Sequence, residues 1–257
     1  MKLSFQNIQK RFGDLLVIED FRRDIDHGEL VAFVGPSGCG KSTLLHIAAG
    51  LEQPSQGRLL VDGQPVRGPS PERTLMFQEG ALYPWLTLVQ NVALALEFQG
   101  TAKADARAQA LHWLAKVNLA SFEDYYPHQV SGGMRQRTAL ARAFISHPQA
   151  LLLDEPFGAL DALTRMTLQD ALRQLIREAS PTVLLVTHDV DEALFLADRI
   201  LVFSPRPATV LQEFNLTHHE KTHDLSEFAD MRREILHLLG INAAHEPHAH
   251  SAKETFE

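Results

Sequence analysis

Two short stretches of the sequence combine glycine with residues that bind anions. The first, GPSGCGKST (35–43), has the spacing G-x-x-x-x-G-K-[ST] and follows the apolar run ELVAFV (29–34). Glycines let a loop wrap its backbone N–H groups around phosphate oxygens. The sequence therefore predicts a phosphate-binding loop between a strand and a helix, with Lys41 on the terminal phosphates and Ser42 on Mg²⁺. A tight strand-to-helix turn without a ligand is the alternative.

The second stretch is VSGGMRQRTALARAF (130–144), which lies much later in the chain. Its serine and two glycines precede a helical pattern that carries three arginines. Backbone N–H groups at the N-terminus of a helix attract anions, because the helix dipole is positive there. Ser131, Gly132 and Gly133 thus form a second candidate anion site, and the question is which phosphate it contacts.

An apolar run at residues 150–154 leads into two acidic residues, Asp154 and Glu155, in the sequence LLLDEP. The carboxyl end of a strand in a parallel sheet meets the ligand that a phosphate loop holds. Carboxylates suit Mg²⁺, and a carboxylate also polarises an attacking water. We therefore expect Asp154 to bind the metal with Ser42, and Glu155 to activate water. A solvated acidic turn is the alternative.

Two further polar residues stand at the ends of apolar runs. His188 ends TVLLVTH (182–188), and Gln78 lies in LMFQEGALYPW. A histidine N–H is a natural donor to a phosphate, and glutamine amides ligate Mg²⁺ or orient water in other nucleotide hydrolases. Both residues are candidates for the catalytic site, and Gln78 is also a candidate metal ligand. The alternatives are a structural histidine and a surface amide.

The elements that must position these residues are strands and helices in alternation. Strand-like runs occupy 3–8, 15–21, 29–34, 57–63, 150–154, 182–188 and 199–203. A helical pattern extends from Thr87 to about Ser146, and Thr87 with Gln90 forms a plausible capping box at its start. Another helical pattern separates the run at 150–154 from the next. This alternation predicts an α/β fold with a parallel sheet.

The same pattern predicts how the chain divides. The expected division is a main domain at 1–217, made of a core (1–86 and 147–217) and a helical subdomain (87–146), and a C-terminal part at 218–257 that contains a helix near 225–239 and a histidine-rich tail. Seven histidines lie in that part, and six of them are candidate metal ligands: His218, His219, His223, His245, His248 and His250. Such composition suits either a solvated tail or a metal sensor.

Composition bounds the class of protein. The 257 residues are 45% hydrophobic and carry a formal net charge of −8, which argues against a nucleic-acid binder that works by neutralising phosphates.

The single cysteine, Cys39, precludes an intrachain disulfide and favours a reducing compartment. We expect its thiol, inside the phosphate loop, to be reactive. The N-terminal residues lack the apolar stretch of a signal peptide. No apolar run approaches the ~18 residues that span a bilayer, so we expect any membrane association to go through a partner.

These motifs, in this order, resemble those of the ATP-binding subunit of an ABC transporter over residues 1–215. GPSGCGKST corresponds to the Walker A loop, LLLDEP to Walker B, Gln78 to the Q-loop, VSGGM to the signature, GALD (158–161) to the D-loop and His188 to the switch histidine. The resemblance implies a P-loop NTPase core with a parallel sheet, an N-terminal antiparallel β part and an inserted helical subdomain, and an ATPase that uses ATP and Mg²⁺. The implied nucleotide contacts are Phe12, Gly35, Pro36, Ser37, Gly38, Cys39, Gly40, Lys41, Ser42 and Thr43. Phe12 would stack on adenine; a core position is its alternative.

The resemblance also answers the question of the second anion site. Members of this family dimerise head to tail, so Ser131, Gly132, Gly133 and Met134 are expected to contact ATP held by the Walker A loop of the other copy. Asp161 belongs to the D-loop. Met134 stands where the family has glutamine, which removes a polar side chain near the ribose. Because the backbone donors remain, we expect tuned rather than abolished activity.

A finer resemblance concerns residues 68–100 together with DEPFGALDALTR, which are similar to the nitrate/sulfonate/taurine group of bacterial importers. It implies a peripheral ATPase on the cytoplasmic face of the inner (plasma) membrane, integral-membrane permease subunits, an external solute-binding protein and no nucleic-acid partner. Tyr83 and Trp85 are expected to dock a permease helix.

Two other functions remain as alternatives. A soluble ABC ATPase of DNA repair or translation predicts a long coiled coil, tandem ATPase units or a basic face, and the sequence displays none of these. A nucleotide-binding regulator without turnover would tolerate the loss of Glu155 or His188, and both are present.

Overall fold

The computed structural model describes residues 1–77, 81–158, 160–219 and 221–241. Along the chain its strands are β1 (Leu3–Phe12), β2 (Leu15–Ile25), β3 (Leu30–Val34), β4 (Gln56–Val61), β5 (Gln64–Pro65), β6 (Arg73–Met76), β7 (Ala150–Asp154), β8 (Thr182–Thr187), β9 (Arg199–Phe203) and β10 (Val210–Asn215). Its α-helices are α1 (Lys41–Ala49), α2 (Leu88–Phe98), α3 (Lys103–Lys116), α4 (Gly132–Phe144), α5 (Ala162–Ala179), α6 (Val190–Leu196) and α7 (Ala229–Leu238).

A largely parallel sheet with the strand order β10-β9-β3-β8-β7-β6 forms the centre of the molecule. Its neighbouring strands run parallel, except that β10 pairs antiparallel with β9 at the edge. Every residue of β3 and β8 is buried, as central strands covered on both faces require. Since β3, β7 and β8 run in one direction, the segments that follow them leave the sheet at the same edge. The predicted α/β class is confirmed.

An antiparallel sheet with the order β2-β1-β4-β5 packs against one face of this centre. Four buried phenyl rings join the two sheets, with centroids 5.1 Å apart for Phe5 and Phe21, 5.7 Å for Phe21 and Phe33, and 5.8 Å for Phe21 and Phe203. Aromatic contacts of this kind add to the free energy gained from burying the rings. They hold the turn between β1 and β2, and therefore Phe12, near the start of α1.

Helices α2, α3 and α4 lie between β6 and β7 in the chain. The capping box predicted at the start of α2 is confirmed: the Thr87 N–H donates to Gln90 Oε1 over 2.9 Å, and the Gln90 N–H donates to Thr87 Oγ1 over 3.4 Å. Trp113 of α3 stacks on Phe144 of α4, with ring centroids 6.0 Å apart. Apolar contacts between these helices thus fix the position of α4, whose N-terminus carries the VSGGM motif.

The sequence patterns missed the two-residue strand β5 as well as α6 and β10. Helix α6 is one short helical segment directly after β8, and β10 is a partly exposed edge strand whose alternation is weak. The C-terminal helix predicted near 225–239 is α7, preceded by a 3-10 turn at Ser226–Phe228. In the part of the chain that the structure describes, no helix is both long enough and apolar enough to cross a bilayer.

Candidate active site

The phosphate loop predicted at residues 35–43 connects β3 to α1. Gly40 has φ 127°, a conformation that strains any residue with a Cβ atom, and a Cβ there would lie 3.0 Å from Val17 Cγ1 of β2. Only glycine therefore lets the loop turn into α1 while β2 packs this closely. Helix α1 begins at Lys41, so its N-terminal N–H groups point into the concave side of the loop.

Lys41 is folded back onto the loop that precedes it. Its ammonium Nζ donates to the carbonyl oxygens of Gly35 over 2.8 Å and Pro36 over 2.9 Å, and it lies 3.8 Å from Cys39 Sγ, a weak acceptor. The side chain is only 4% exposed. The charge of Lys41 is therefore held at the centre of the loop, where a terminal phosphate would be attracted to it.

Cys39 does not behave as the sequence suggested. Its side chain is 1% exposed and packs in the apolar core beneath the loop, so the expectation of a reactive thiol is wrong. The small, weakly polar thiol fills space between the loop and the sheet, as buried cysteines commonly do. Only its backbone remains part of the phosphate loop, with the Cys39 N–H donating to the Pro36 carbonyl over 3.4 Å.

Ser42 and Asp154 meet where α1 and β7 face each other. Ser42 Oγ donates to Asp154 Oδ1 over 2.9 Å. Burial raises the pKa of the Asp154 carboxyl above its ordinary value, and the hydrogen bond from Ser42 partly offsets that rise. The structure therefore brings together two of the oxygen atoms that the sequence assigned to a metal.

Glu155 and His188 also come together at this edge of the sheet. His188 Nδ1 lies 3.2 Å from Glu155 Oε2, and the Glu155 N–H donates to the Val186 carbonyl of β8 over 2.9 Å. Glu155 has φ 46°, which turns its side chain out of the strand direction at the end of Walker B. Gln78, the third candidate for the catalytic site, lies outside the described residues.

A cavity of about 320 Å³ opens above the phosphate loop. Of the expected nucleotide contacts, Phe12, Ser37, Gly38, Gly40, Lys41, Ser42 and Thr43 line it, together with Glu155; Gly35, Pro36 and Cys39 do not. Phe12 is 46% exposed, and the Lys10 ammonium lies 4.6 Å from its ring centroid. The ring is thus available to stack on a flat ligand, and the core alternative for Phe12 is wrong.

The second anion site is separate from this cavity. Ser131 caps α4, its Oγ accepting from the Met134 N–H over 3.2 Å, and both Ser131 and Gly132 are exposed. Gly133 is buried, and Met134 packs partly against the core. Within the described residues, none of the signature motif lines the cavity above the phosphate loop. Each chain therefore holds two separate sets of donors.

Comparison with known proteins identifies one family. Residues 18–158, more than half of the chain, match the family model described as ABC transporter. The chain belongs to the ABC transporter family. It is an ATP-binding subunit, and its enzymatic activity is ATP hydrolysis.

The similarity of this ABC subunit to known relatives covers nearly its whole length. A putative ATP-binding protein of Brucella abortus is 46% identical over 242 residues, covering 93% of each chain. The taurine import ATP-binding protein TauB of Roseobacter denitrificans is 40% identical (92% of this chain, 93% of the relative), and the nitrate transport protein NasD of Klebsiella oxytoca is 41% identical (92% and 95%). Among solved structures, the dimeric post-hydrolysis state of the ATP-binding cassette MJ0796 with ADP and Pi matches at a TM-score of 0.73 and 31% identity, covering 83% of this chain and 98% of that one.

The donors of this ABC subunit fit a magnesium ion that is shared with a nucleotide. Mg²⁺ prefers oxygen ligands and is commonly held by one or two protein oxygens together with substrate phosphates. Ser42 Oγ and Asp154 Oδ1 supply such a pair, 2.9 Å apart. Among the described residues there is no group of three or more histidine, cysteine and acidic side chains that would hold a metal without the nucleotide.

Two arginines near the site carry no signal in the sequence motifs. Arg206, between β9 and β10, lines the cavity and donates to the Gly38 carbonyl. Arg165 of α5 donates to Asp189 Oδ2 over 2.8 Å and so connects the helix after the D-loop with the residue after His188. Asp161 itself caps α5 by accepting from the Thr164 N–H over 3.0 Å, and hydrogen bonds with Thr164 lower the pKa of its carboxyl. Both arginines depend on contacts between segments far apart in the chain, which no local spacing reveals.

Proposed function

We propose that this ABC subunit hydrolyses ATP at the interface of a head-to-tail dimer and thereby energises the import of a small solute such as nitrate, a sulfonate or taurine. The relatives named for taurine import and nitrate transport support the importer class. The solute itself would be selected by the permease and by an external solute-binding protein, which does not contact this subunit.

The separation of the two anion sites is the observation that supports the proposed dimer. Ser131 and Gly132 are exposed at the positive end of α4, outside the cavity that the Walker A loop of the same chain forms. A twofold rotation of two identical chains places each signature over the cavity of the other, which closes the assembly symmetrically. The solved cassette that matches this chain is itself a dimer with ADP and Pi.

The residues around the cavity have distinct roles in the proposed hydrolysis. The loop N–H groups and Lys41 bind the phosphates, and Phe12 stacks on the adenine. Glu155 accepts a proton from the attacking water, while His188, 3.2 Å from Glu155, donates a ring N–H to the terminal phosphate. Ser42 and Asp154 would hold Mg²⁺, which would neutralise charge on the phosphate oxygens. Gln78 is proposed to reach the same metal and water.

We propose that an exposed groove along α2 is the docking site for the permease. A cavity of about 400 Å³ is lined mainly by apolar side chains that include Phe77, Tyr83, Leu94 and Phe98. Phe98 is 79% exposed, and the neighbouring Trp85 is 69% exposed. Exposed aromatic side chains around a groove mark protein interfaces. We assign this groove to a cytoplasmic helix of the permease, which places the subunit peripherally on the cytoplasmic face of the inner membrane.

The importer assignment is tested by breaking this contact. Replacing Tyr83 and Trp85 by serine should abolish copurification with a permease of the taurine or nitrate type and should abolish solute uptake by cells, because the anchoring rings are lost. ATP binding by the isolated subunit should be unchanged. Leu211→Ser is the matched control, since Leu211 is 45% exposed on β10, away from the groove. Uptake and copurification that survive the double substitution would show that the permease docks elsewhere.

A further inference from the structure

The segment between β9 and β10 contacts the phosphate loop, although the motifs give it no role. It is fixed to β2 by the Ala208 N–H, which donates to the Val17 carbonyl over 2.8 Å, and by the Glu19 N–H, which donates to the Ala208 carbonyl over 3.3 Å. Ser204 Oγ bonds within the segment and lies 3.1 Å from Thr209 Oγ1. The segment is therefore held rigidly against the wall of the cavity.

This segment presents Arg206 to the phosphate loop. Two donors of its guanidinium, Nε and Nη2, reach the same oxygen, the Gly38 carbonyl, over 3.1 Å and 2.6 Å. Arg206 also lines the cavity of about 320 Å³ with Phe12, Lys41 and Glu155. Because the Arg206 side chain is exposed, its contact with Gly38 adds little to the stability of the fold. Its position on the cavity wall indicates a role in the site instead.

The peptide unit that Arg206 contacts is held at both of its polar ends. Its oxygen, from Gly38, accepts from Arg206, while its N–H, from Cys39, donates to the Pro36 carbonyl over 3.4 Å. The same Pro36 carbonyl accepts from Lys41 Nζ over 2.9 Å. A continuous chain of hydrogen bonds therefore connects the Arg206 guanidinium to the Lys41 ammonium.

The loop itself does not fix the orientation of this peptide, so a contact from another segment is needed to do so. Gly38 has φ 72°, and without a Cβ atom it has access to several backbone conformations of similar energy, so sterics alone do not fix the direction of its carbonyl. With the Gly38 oxygen bonded to Arg206 and the Cys39 N–H bonded to the Pro36 carbonyl, the direction of this peptide is fixed. A planar guanidinium offers two donors in a fixed geometry, which a lysine ammonium does not reproduce.

We propose that Arg206 is a positioning residue of the nucleotide site. It fixes the Gly38 peptide, and through Pro36 the Lys41 ammonium, in the arrangement that binds the phosphates. Its own charge also attracts the polyanionic nucleotide. The inference rests on the proposal that this cavity binds ATP. It predicts a residue whose loss weakens ATP binding much more than it slows the turnover of bound ATP, because the arrangement it fixes is needed before chemistry begins.

Titration with a fluorescent ATP analogue tests this role. Arg206→Gln, which removes the charge and the two-donor contact, should weaken binding about tenfold, as expected for the loss of one charged hydrogen bond. Arg206→Lys keeps the charge and should recover part of that loss. In steady-state assays the KM for ATP should rise by a similar factor, while kcat falls less than about threefold. Arg58→Gln is the matched control, because Arg58 is exposed and donates to Gln6 Oε1 over 2.9 Å, away from the cavity; the variant should bind ATP like wild type.

The outcomes separate this inference from the proposal on which it rests. If Lys41→Met loses ATP binding but Arg206→Gln binds like wild type, the site is correct and the role of Arg206 is wrong. If Lys41→Met also binds like wild type, the cavity is not the nucleotide site. A nucleotide-free Arg206→Gln protein that melts well below wild type would overturn the positioning role, since a purely structural contact would then explain its weaker binding. The inference predicts unchanged melting without nucleotide.

Discussion

The site consists of Lys41 in the phosphate loop and of four residues near one edge of the sheet: Ser42, Asp154, Glu155 and His188. The structure places the last four within hydrogen-bonding reach in two pairs. What their residue types did not reveal is which groups hold them. Lys41, for example, is bound to two carbonyl groups of its own loop, an arrangement that depends on the backbone path rather than on spacing.

At the residue scale, the charge of Lys41 is predicted to be essential. Lys41→Met should weaken ATP binding and lower turnover by about a hundredfold or more, since the main side-chain charge on the phosphates is lost. The measurements are isothermal titration with ATP and phosphate release. Lys221→Met is the matched control: Lys221 is partly buried and, like Lys41, donates to a carbonyl, that of Leu194, over 3.1 Å, but it lies away from the cavity. Hydrolysis by Lys41→Met at the wild-type rate would rule out the site assignment.

At the scale of elements, the patterns succeeded where periodicity is strong and failed where an element is short. Strands β3, β7 and β8 are nearly continuous apolar runs, and the capping box correctly predicted the start of α2. Helix α6 is too short for a helical period to emerge, and its position follows from packing against β3 and β8 instead. The role of Arg206 was not predicted for a related reason, since its partner Gly38 is distant in sequence. The pairing of β3 with β9 brings the segments that follow these two strands together.

Helix α6 also carries a buried acid, Glu192, which makes a prediction about pH. Its side chain is 5% exposed, and its Oε1 has no hydrogen-bond partner among the described residues. Burial, and next the carboxylate of Asp189, raise the pKa of Glu192 from 4.5 to about 8. Between these values the native state binds a proton that the unfolded chain has released. The stability that this proton contributes is therefore complete below about pH 4.5 and is lost as pH rises through 8.

Glu192→Gln removes this proton linkage. Relative to wild type, the variant should gain up to about 1.4 kcal/mol of unfolding free energy for each pH unit between 5 and 8, because only the wild type is destabilised by the rise. Urea unfolding at pH 5.5, 6.5 and 7.5 measures the difference. The nearby charged groups Glu155, Arg165 and Asp189 are present in both proteins, so their own titrations largely cancel. Parallel pH curves for the two proteins would contradict a protonated Glu192.

At the scale of the whole molecule, we propose that each chain supplies half of a composite nucleotide site. The Walker A loop and the signature are both N-termini of helices, α1 and α4, yet they lie apart in one chain. In the proposed dimer, ATP would hold the two chains together, so that binding would favour closure and hydrolysis would favour reopening. The groove beside α2 would then pass this motion to the permease. The central claim is therefore that the signature serves the nucleotide of the other copy.

The most direct test uses Glu155→Gln, which should keep ATP bound but lack the group that activates water, so that a dimer accumulates with MgATP on a sizing column. Adding Ser131→Arg should abolish that dimer while leaving ATP affinity of the monomer nearly unchanged, since Ser131 is outside the cavity of its own chain. Ser121→Arg, at a position that is also exposed, is the control and should leave the dimer intact. If instead Ser131→Arg destroys ATP binding by the monomer, in a protein that melts like its parent, the signature serves its own chain and the account is wrong.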